Sequence, residues 1–272
     1  QVFKNVDDVL RKDAGCSTEL DYIAQTSWML FLKYLNDYEI EKEEEAKLAN
    51  QTYTRLIEEK FAWNSWAAPK NANGQIDYNV ARTGDDLVEF INQELFPYLA
   101  SFKQRAADSQ NSIEYKIGWI YGEISNKLEE GYGIREVLLL IDKLNFLTRN
   151  DLHELSTLYE TKIKNMGNSG RNGGEYYTPR PLIQTIVEIV NPKIGEKVYD
   201  GAVGSAGFLC EAFDWINKPT LSASESKQLQ TKTLYGQEKK GLAYILGVMN
   251  MILHGVESPN IMRTNTLNKN IA

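Results

Sequence analysis

The run Glu196-Lys197-Val198-Tyr199-Asp200-Gly201-Ala202-Val203-Gly204-Ser205-Ala206-Gly207-Phe208-Leu209 carries the most legible chemistry in the chain. A short β-type segment ends in a carboxylate, and glycines spaced three apart then turn the chain into a helix. Glycine accepts positive φ and has no Cβ, so a bound molecule can lie directly against the main chain. No Gly-Lys-Ser/Thr follows, and Asp200 would repel a pyrophosphate, which excludes a phosphate-gripping P-loop. A carboxylate here suits a cationic or hydroxyl-bearing ligand. Taken alone, the segment also reads as an ordinary strand-to-helix turn rich in small residues.

Glu238 follows the run Thr233-Leu234-Tyr235-Gly236-Gln237 and should sit at the tip of the next strand. An acidic residue there accepts hydrogen bonds from both ribose hydroxyls of a nucleoside. The alternative is an exposed glutamate beside Lys239 and Lys240. Together, the glycine loop and Glu238 describe a nucleoside cofactor with no pyrophosphate requirement. Upstream, Gly174-Glu175-Tyr176-Tyr177-Thr178-Pro179-Arg180-Pro181 is a rigid aromatic loop feeding a helix, with Pro181 near the first helical position. Thr178 could meet a polar ligand end and Tyr176 and Tyr177 could stack on a flat one, or the aromatics simply pack.

The elements that must position these residues fall into two textures. Up to about residue 148 the pattern is helical: Leu20, Ile23, Ala24, Trp28, Phe31 and Leu35 recur at spacings of three and four and predict a largely buried helix. Asp37 to Lys60 is rich in charge and predicts a solvated helix or an exposed connection. Pro69 and Asn73-Gly74 predict a turn, with short strands on either side as one option. Helical spacing returns over Asp85 to Phe102 and Gly133 to Leu144.

From 149 onward, Asn150 or Asp151 is positioned to cap a helix through Leu152, Leu155, Tyr159 and Ile163, followed by a polar loop from Asn165 to Gly174. Lys197 to Asp200 and Thr233 to Gly236 read as strands, alternating with helices over Leu209 to Ile216 and Leu242 to Leu253. Strands alternating with helices imply a parallel sheet. The expected fold class is therefore α + α/β, with a helical domain over 1–148 and a Rossmann-like domain over 149–272.

The segments "YDGAVGSAGFL", "GEYYTPRPLI" and "LYGQEKKGLAYILGVMNMILHG", in that order, resemble the modification subunit of type I restriction-modification systems, an adenine-N6 DNA methyltransferase family. The N-terminal "VDDVLRKD" and "DYIAQTSWMLFLKYLND" are similar to that family's helical N-terminal domain, so the resemblance spans most of the chain. It implies a class I methyltransferase fold and an S-adenosylmethionine site. By similarity, Glu175, Tyr176, Tyr177, Thr178, Pro179 and Arg180 surround the methionine end, with Thr178 nearest. Asp200 and the Ser205-Ala206-Gly207 backbone line the amino acid and sugar, Glu238 holds the ribose hydroxyls, and Asn265 stands near the adenine ring where many relatives have aspartate. Gly201, Val203 and Ala206 depart from a common proline, a small or cysteine residue, and a glycine.

The resemblance also implies direct methyl transfer to a flipped adenine held by an Asn-Pro-Pro-aromatic motif. That motif is absent: Asn191-Pro192 precedes the glycine loop, continues with Lys193 and reads as a turn. The expectation is a domain truncated on its C-terminal side, inactive alone, with no catalytic residue in this chain and the motif lying beyond Ala272. A non-catalytic DNA-clamping or assembly module with a methyltransferase-like fold is the competing reading, and methylation of RNA or protein is a third. Implied partners are DNA, a specificity subunit, a second modification subunit and a motor-nuclease restriction subunit.

Other function classes fall away on composition. His153 and His254 are the only histidines, and Cys16 and Cys210 lie far apart, so no metal-ligand spacing exists and the expected metal is none. Neither cysteine follows proline, which disfavours covalent cytosine-C5 chemistry, and both are expected to be reduced and buried. The longest aliphatic stretch, Val137 to Ile141, is far short of the ~20 residues of a membrane span, so no membrane role and a cytoplasmic location are expected. The net charge of -7 over 272 residues is uneven. Residues 1–148 carry 16 basic and 25 acidic side chains, and residues 149–272 carry 14 and 12, so DNA is not excluded from the second half.

Overall fold

A computed structural model of the protein describes residues 2–107, 112–146, 149–168, 177–257 and 259–268. The chain divides into two compact units: Gln1–Lys103 with Ile117–Asp151, and Gln104–Lys116 with Leu152–Ala272.

The first unit is helical. Its elements are α1 (Val2–Leu10), α2 (Glu19–Leu48), α3 (Trp63–Trp66), α4 (Gly84–Glu89), α5 (Phe96–Arg105), α6 (Ile113–Glu123, whose first turn groups with the second unit) and α7 (Gly131–Asp142). Helices α4 and α5 are joined through a π-helical segment, Phe90–Leu95. Pro97 follows this segment closely; proline clashes with the carbonyl four residues back, and a wider turn relieves that clash. The core gathers around Trp28, which meets Phe96 edge-on at 5.1 Å and donates from its indole Nε1 to Gln25 Oε1 at 2.8 Å.

Helix α2 runs unbroken for 30 residues, through both the apolar and the charged segments. Beyond Glu41 it is largely solvated, as the charge pattern implies, but Asp37 and Glu39 are buried. Asp37 pairs with Lys33 at 2.6 Å, and Glu39 accepts backbone N–H groups from Leu56 and Ile57, tying down the chain that follows the helix. Burial pushes the Glu39 carboxyl upward, against those bonds. The Asn73-Gly74 turn forms with Gly74 at φ +75°, but it closes a single antiparallel bridge, Lys70 to Ile76, in place of paired strands.

Thr18 and Asp21 form a capping box at the start of α2, and Lys127 pairs with the Asp21 carboxylate. Burial raises this carboxyl's affinity for its proton, but the bonds from Lys127, Thr18 and the Ser17 N–H outweigh burial and hold it at about 2. Unfolded aspartate titrates near ~3.9. The folded value is depressed, so the stabilisation is complete above about pH 4 and disappears as pH falls through 2. Asp21→Asn is expected to lower unfolding free energy at pH 7 by about 1–2 kcal/mol and to flatten the acid limb of a stability-versus-pH curve measured by urea unfolding.

The second unit contains α8 (Arg149–Asn168, whose first residues group with the first unit), α9 (Arg180–Val190), β1 (Val198–Asp200), α10 (Gly207–Ile216), α11 (Ala223–Lys232), β2 (Leu234–Glu238), α12 (Gly241–Leu253) and β3 (Ile261–Arg263). The strands form one parallel sheet in the order β1-β2-β3, with Asp200 opposite Gly236 and Glu238 opposite Arg263. Parallel neighbours require crossovers, which α10, α11 and α12 supply. Helix α8 already runs from Arg149, so neither Asn150 nor Asp151 caps it, and it absorbs Asn165 to Asn168 from the anticipated loop. The rest of that loop, 169–174, lies outside the described residues. Asn191 takes the left-handed conformation that ends α9, so Asn191-Pro192 is a helix stop and turn.

Among the described residues no helix is long and apolar enough to cross a membrane.

Candidate functional site

Strand β1 ends on Asp200 and β2 ends on Glu238, so parallel pairing brings the two carboxylates to one edge of the sheet, where open α/β sheets bind ligands. The loop between β1 and α10 wraps this edge. Asp200 Oδ1 accepts the Ala202 N–H at 3.0 Å. Glu238 Oε2 accepts the Gly204 N–H at 2.9 Å, and its Oε1 accepts the Lys240 N–H at 2.7 Å. Glu238 therefore fixes the loop while keeping lone pairs for a further donor. Burial, with the Glu238 charge adding and the Ala202 bond opposing, raises the proton affinity of Asp200. Two carboxylates this placed favour hydroxyls or a cation and disfavour phosphate.

The glycines divide their work. Gly204 adopts φ +54°, whereas Gly201 and Gly207 matter for what they lack. A Cβ at Gly207 would come within 2.7 Å of Ile183, and one at Gly201 within 3.2 Å of Thr266. Behind the loop, a Cβ at Gly247 of α12 would come within 2.9 Å of the Gly204 carbonyl oxygen. The second left-handed position of the loop is Ala206, at φ +62°. Alanine pays roughly 1 kcal/mol there that glycine does not. Ala206→Gly is expected to raise thermal stability by about 0.5–1 kcal/mol, read as a shift in the calorimetric unfolding midpoint, with the lost methyl offsetting part of the gain.

Tyr177, Thr178, Asp200, Ser205 and Gly207 line one cleft of about 120 Å³. Thr178 and Pro179 are exposed ahead of α9, while Ala206 is buried beneath the loop. Asn265 follows β3 and accepts the Leu267 N–H at 3.2 Å; the neighbouring Thr266 hydroxyl donates to the Gly201 carbonyl. Glu238 and Asn265 thus border the loop without lining the cleft. Glu175 and Tyr176 lie outside the described residues.

Arg180 is committed to protein partners. Its Nε donates to Glu160 Oε2 at 2.8 Å and its Nη1 to the Gly207 carbonyl at 2.8 Å, with Glu211 at 3.5 Å. His254 ends α12 and bridges Asp214 at 2.8 Å and Glu160 at 3.0 Å, in keeping with a cap or packing role. Glu160 and Asn250 escape a motif reading. Asn250 nevertheless announces itself as the lone amide in the apolar helix α12, and it donates through Nδ2 to the Ser205 carbonyl at 2.9 Å. Cys16 and Cys210 are free and buried, and burial pushes both thiols upward, which unsuits them as nucleophiles. Among the described residues no group of His, Cys, Asp and Glu side chains is arranged to hold a metal ion.

The chain, with one helical unit and one parallel α/β unit whose strands end in carboxylates, matches two family descriptions: HsdM N-terminal domain over residues 1–121 and N-6 DNA Methylase over residues 150–272. The class is thus a methylase-type chain with its helical N-terminal partner domain. The type I restriction enzyme EcoEI methylase subunit of Escherichia coli is 34% identical over 98% of this chain and 52% of its own length. A solved chain described in work on assembly and conformational transition of the type I R-M system is 32% identical, with a TM-score of 0.81 over 99% of this chain and 51% of that one. A modification subunit assigned to a type I restriction enzyme from Vibrio vulnificus YJ016 is 33% identical, with a TM-score of 0.78 over 98% of this chain and 55% of that one. The chain belongs to the family of type I restriction-modification modification subunits. It spans about half the length of these relatives.

Proposed function

We propose that the chain is the cofactor-binding portion of a site-specific DNA adenine-N6 methyltransferase, the modification subunit of a type I restriction-modification complex, with a Rossmann-like class I methyltransferase fold in its second half. The observation that carries this reading is the single cleft lined by Tyr177, Thr178, Asp200, Ser205 and Gly207, with Glu238 bonded to the same loop. The residues fit S-adenosylmethionine, a cationic nucleoside without phosphates. Gly201 and Gly207 let Thr266 and Ile183 pack directly against the loop, and Asp200 and Glu238 offer acceptors to hydroxyls and the cation.

When bound, this cofactor supplies an electrophilic methyl group. The chain's own residues bind and orient it: Glu238 towards the ribose, Asp200 and the Ser205-Ala206-Gly207 backbone along the sugar and amino acid, Tyr177 and Thr178 at the methionine end, and Asn265 near the adenine. DNA, a specificity subunit, a second modification subunit and a motor-nuclease subunit are the partners this reading implies. The second unit's near-balanced charge leaves strong DNA attachment to those partners. Isothermal titration of the assembled complex with S-adenosylmethionine tests the reading, together with transfer of labelled methyl to DNA, RNA and protein. Absence of cofactor binding, or transfer to RNA or protein in place of DNA, overturns it.

A further inference from the structure

Asn250 is 1% exposed, and its Oδ1 has no hydrogen-bond partner. The amide's orientation is set by chemistry: Nδ2 faces two acceptors, the Ser205 carbonyl at 2.9 Å and Glu160 Oε1 at 3.3 Å, so the oxygen must face the other way. An orphaned buried acceptor is costly unless a donor reaches it. Asn250 lines a small cavity with Tyr177, Thr178, Ser205 and Gly207, residues that also line the Asp200 cleft. The cavity has room for a group about the size of one water molecule. Glu160 and Arg180 also line it and are paired with each other, and Glu160 bonds His254 as well, so the cavity is walled by polar groups on that side.

We infer that Asn250 is a cofactor-binding residue whose Oδ1 accepts a hydrogen bond from the primary ammonium at the amino-acid end of the cofactor. A protonated amine has the size and the donors that the orphaned acceptor and the cavity ask for. Helix α12 then reads the ligand's amine directly while its Nδ2 holds the loop through Ser205. This inference rests on the cleft being an S-adenosylmethionine site.

The test is a ligand-by-residue cycle on the full-length subunit in its complex, using S-adenosylhomocysteine and its analogue lacking the α-amino group, with Kd from calorimetry. Wild type is expected to prefer the amine-bearing ligand by at least about 10-fold. Asn250→Ala is expected to lose most of that preference; the lost Ser205 bond weakens both ligands alike and leaves their ratio untouched, and measurable binding of the desamino ligand certifies that the variant is folded. Equal weakening of both ligands, or no preference in wild type, would make the amide a loop support only and overturn the inference. If wild type binds neither ligand, the cofactor reading itself fails and takes this inference with it.

Discussion

Glu238→Ala is expected to weaken S-adenosylmethionine binding about 100-fold, measured by isothermal titration, while unfolding free energy falls by only about 1 kcal/mol. The carboxylate stands at the end of β2 and already accepts the Gly204 and Lys240 N–H groups. Under the proposed role, removing it deletes the acceptors for the ribose hydroxyls; it also frees the Gly204 N–H, so the loop loses its tether. Hydrogen bonds to a charged acceptor contribute about 1.5–3 kcal/mol each, which sets the size of the effect. Glu238→Gln keeps one acceptor oxygen, replaces the other with a donor and loses the charge, so its affinity should fall by at least about 10-fold. An affinity unchanged by the alanine substitution would remove Glu238 from the site.

Arg180→Met should produce the other large effect, in stability: a loss of about 2–3 kcal/mol in urea unfolding. The guanidinium and its partners Glu160 and Glu211 have side chains only 18–19% exposed. Truncating the cation takes the guanidinium from two carboxylates in a half-dry environment, leaving Glu160 only its His254 contact, and leaves the Gly207 carbonyl without its donor. The exposure that remains keeps the loss below that of a fully buried pair. Adding Glu160→Gln should restore part of the stability, since the orphaned charge is then gone. Family resemblance places Arg180 beside the methionine end, whereas its bonds make it a brace between α8, α9 and the start of α10. Unchanged stability with lost cofactor binding would favour the ligand role.

How much of this was legible depended on whether the signal was a pattern or a single residue. Strands β1 and β2, the glycine turn and helices α10 and α12 announce themselves because period and composition change over several residues at once. Strand β3 is as short as β1, but no glycine turn follows it to mark where it ends. Helix α11 is polar and buries only Leu229, so its amphipathic signal is faint, although the Ser222-Glu225 capping box was present to be read.

Asp37 and Glu39 sit in a charged run yet face inward, because burial is decided by the helix's position against its neighbours and not by the run's average. The same limit applies to Ala206, where the loop demands a left-handed residue and alanine supplies it. The meeting of Glu238 with the glycine loop was readable from the chemistry of their spacing. Asn250 and Glu160 were not, since their roles arise only when separate helices converge behind the loop.

The unbroken course of α2 has a consequence for how the helical unit opens. At 1.5 Å per residue its 30 residues extend ~45 Å, yet only the part through Glu39 is clad by packed side chains. The end at Leu48 can unravel turn by turn at little cost, whereas the turns around Trp28 are released only when the surrounding aromatic cluster comes apart. One continuous helix thus spans the range from local fraying to cooperative unfolding, and its amide protons would exchange with solvent on correspondingly different free-energy scales.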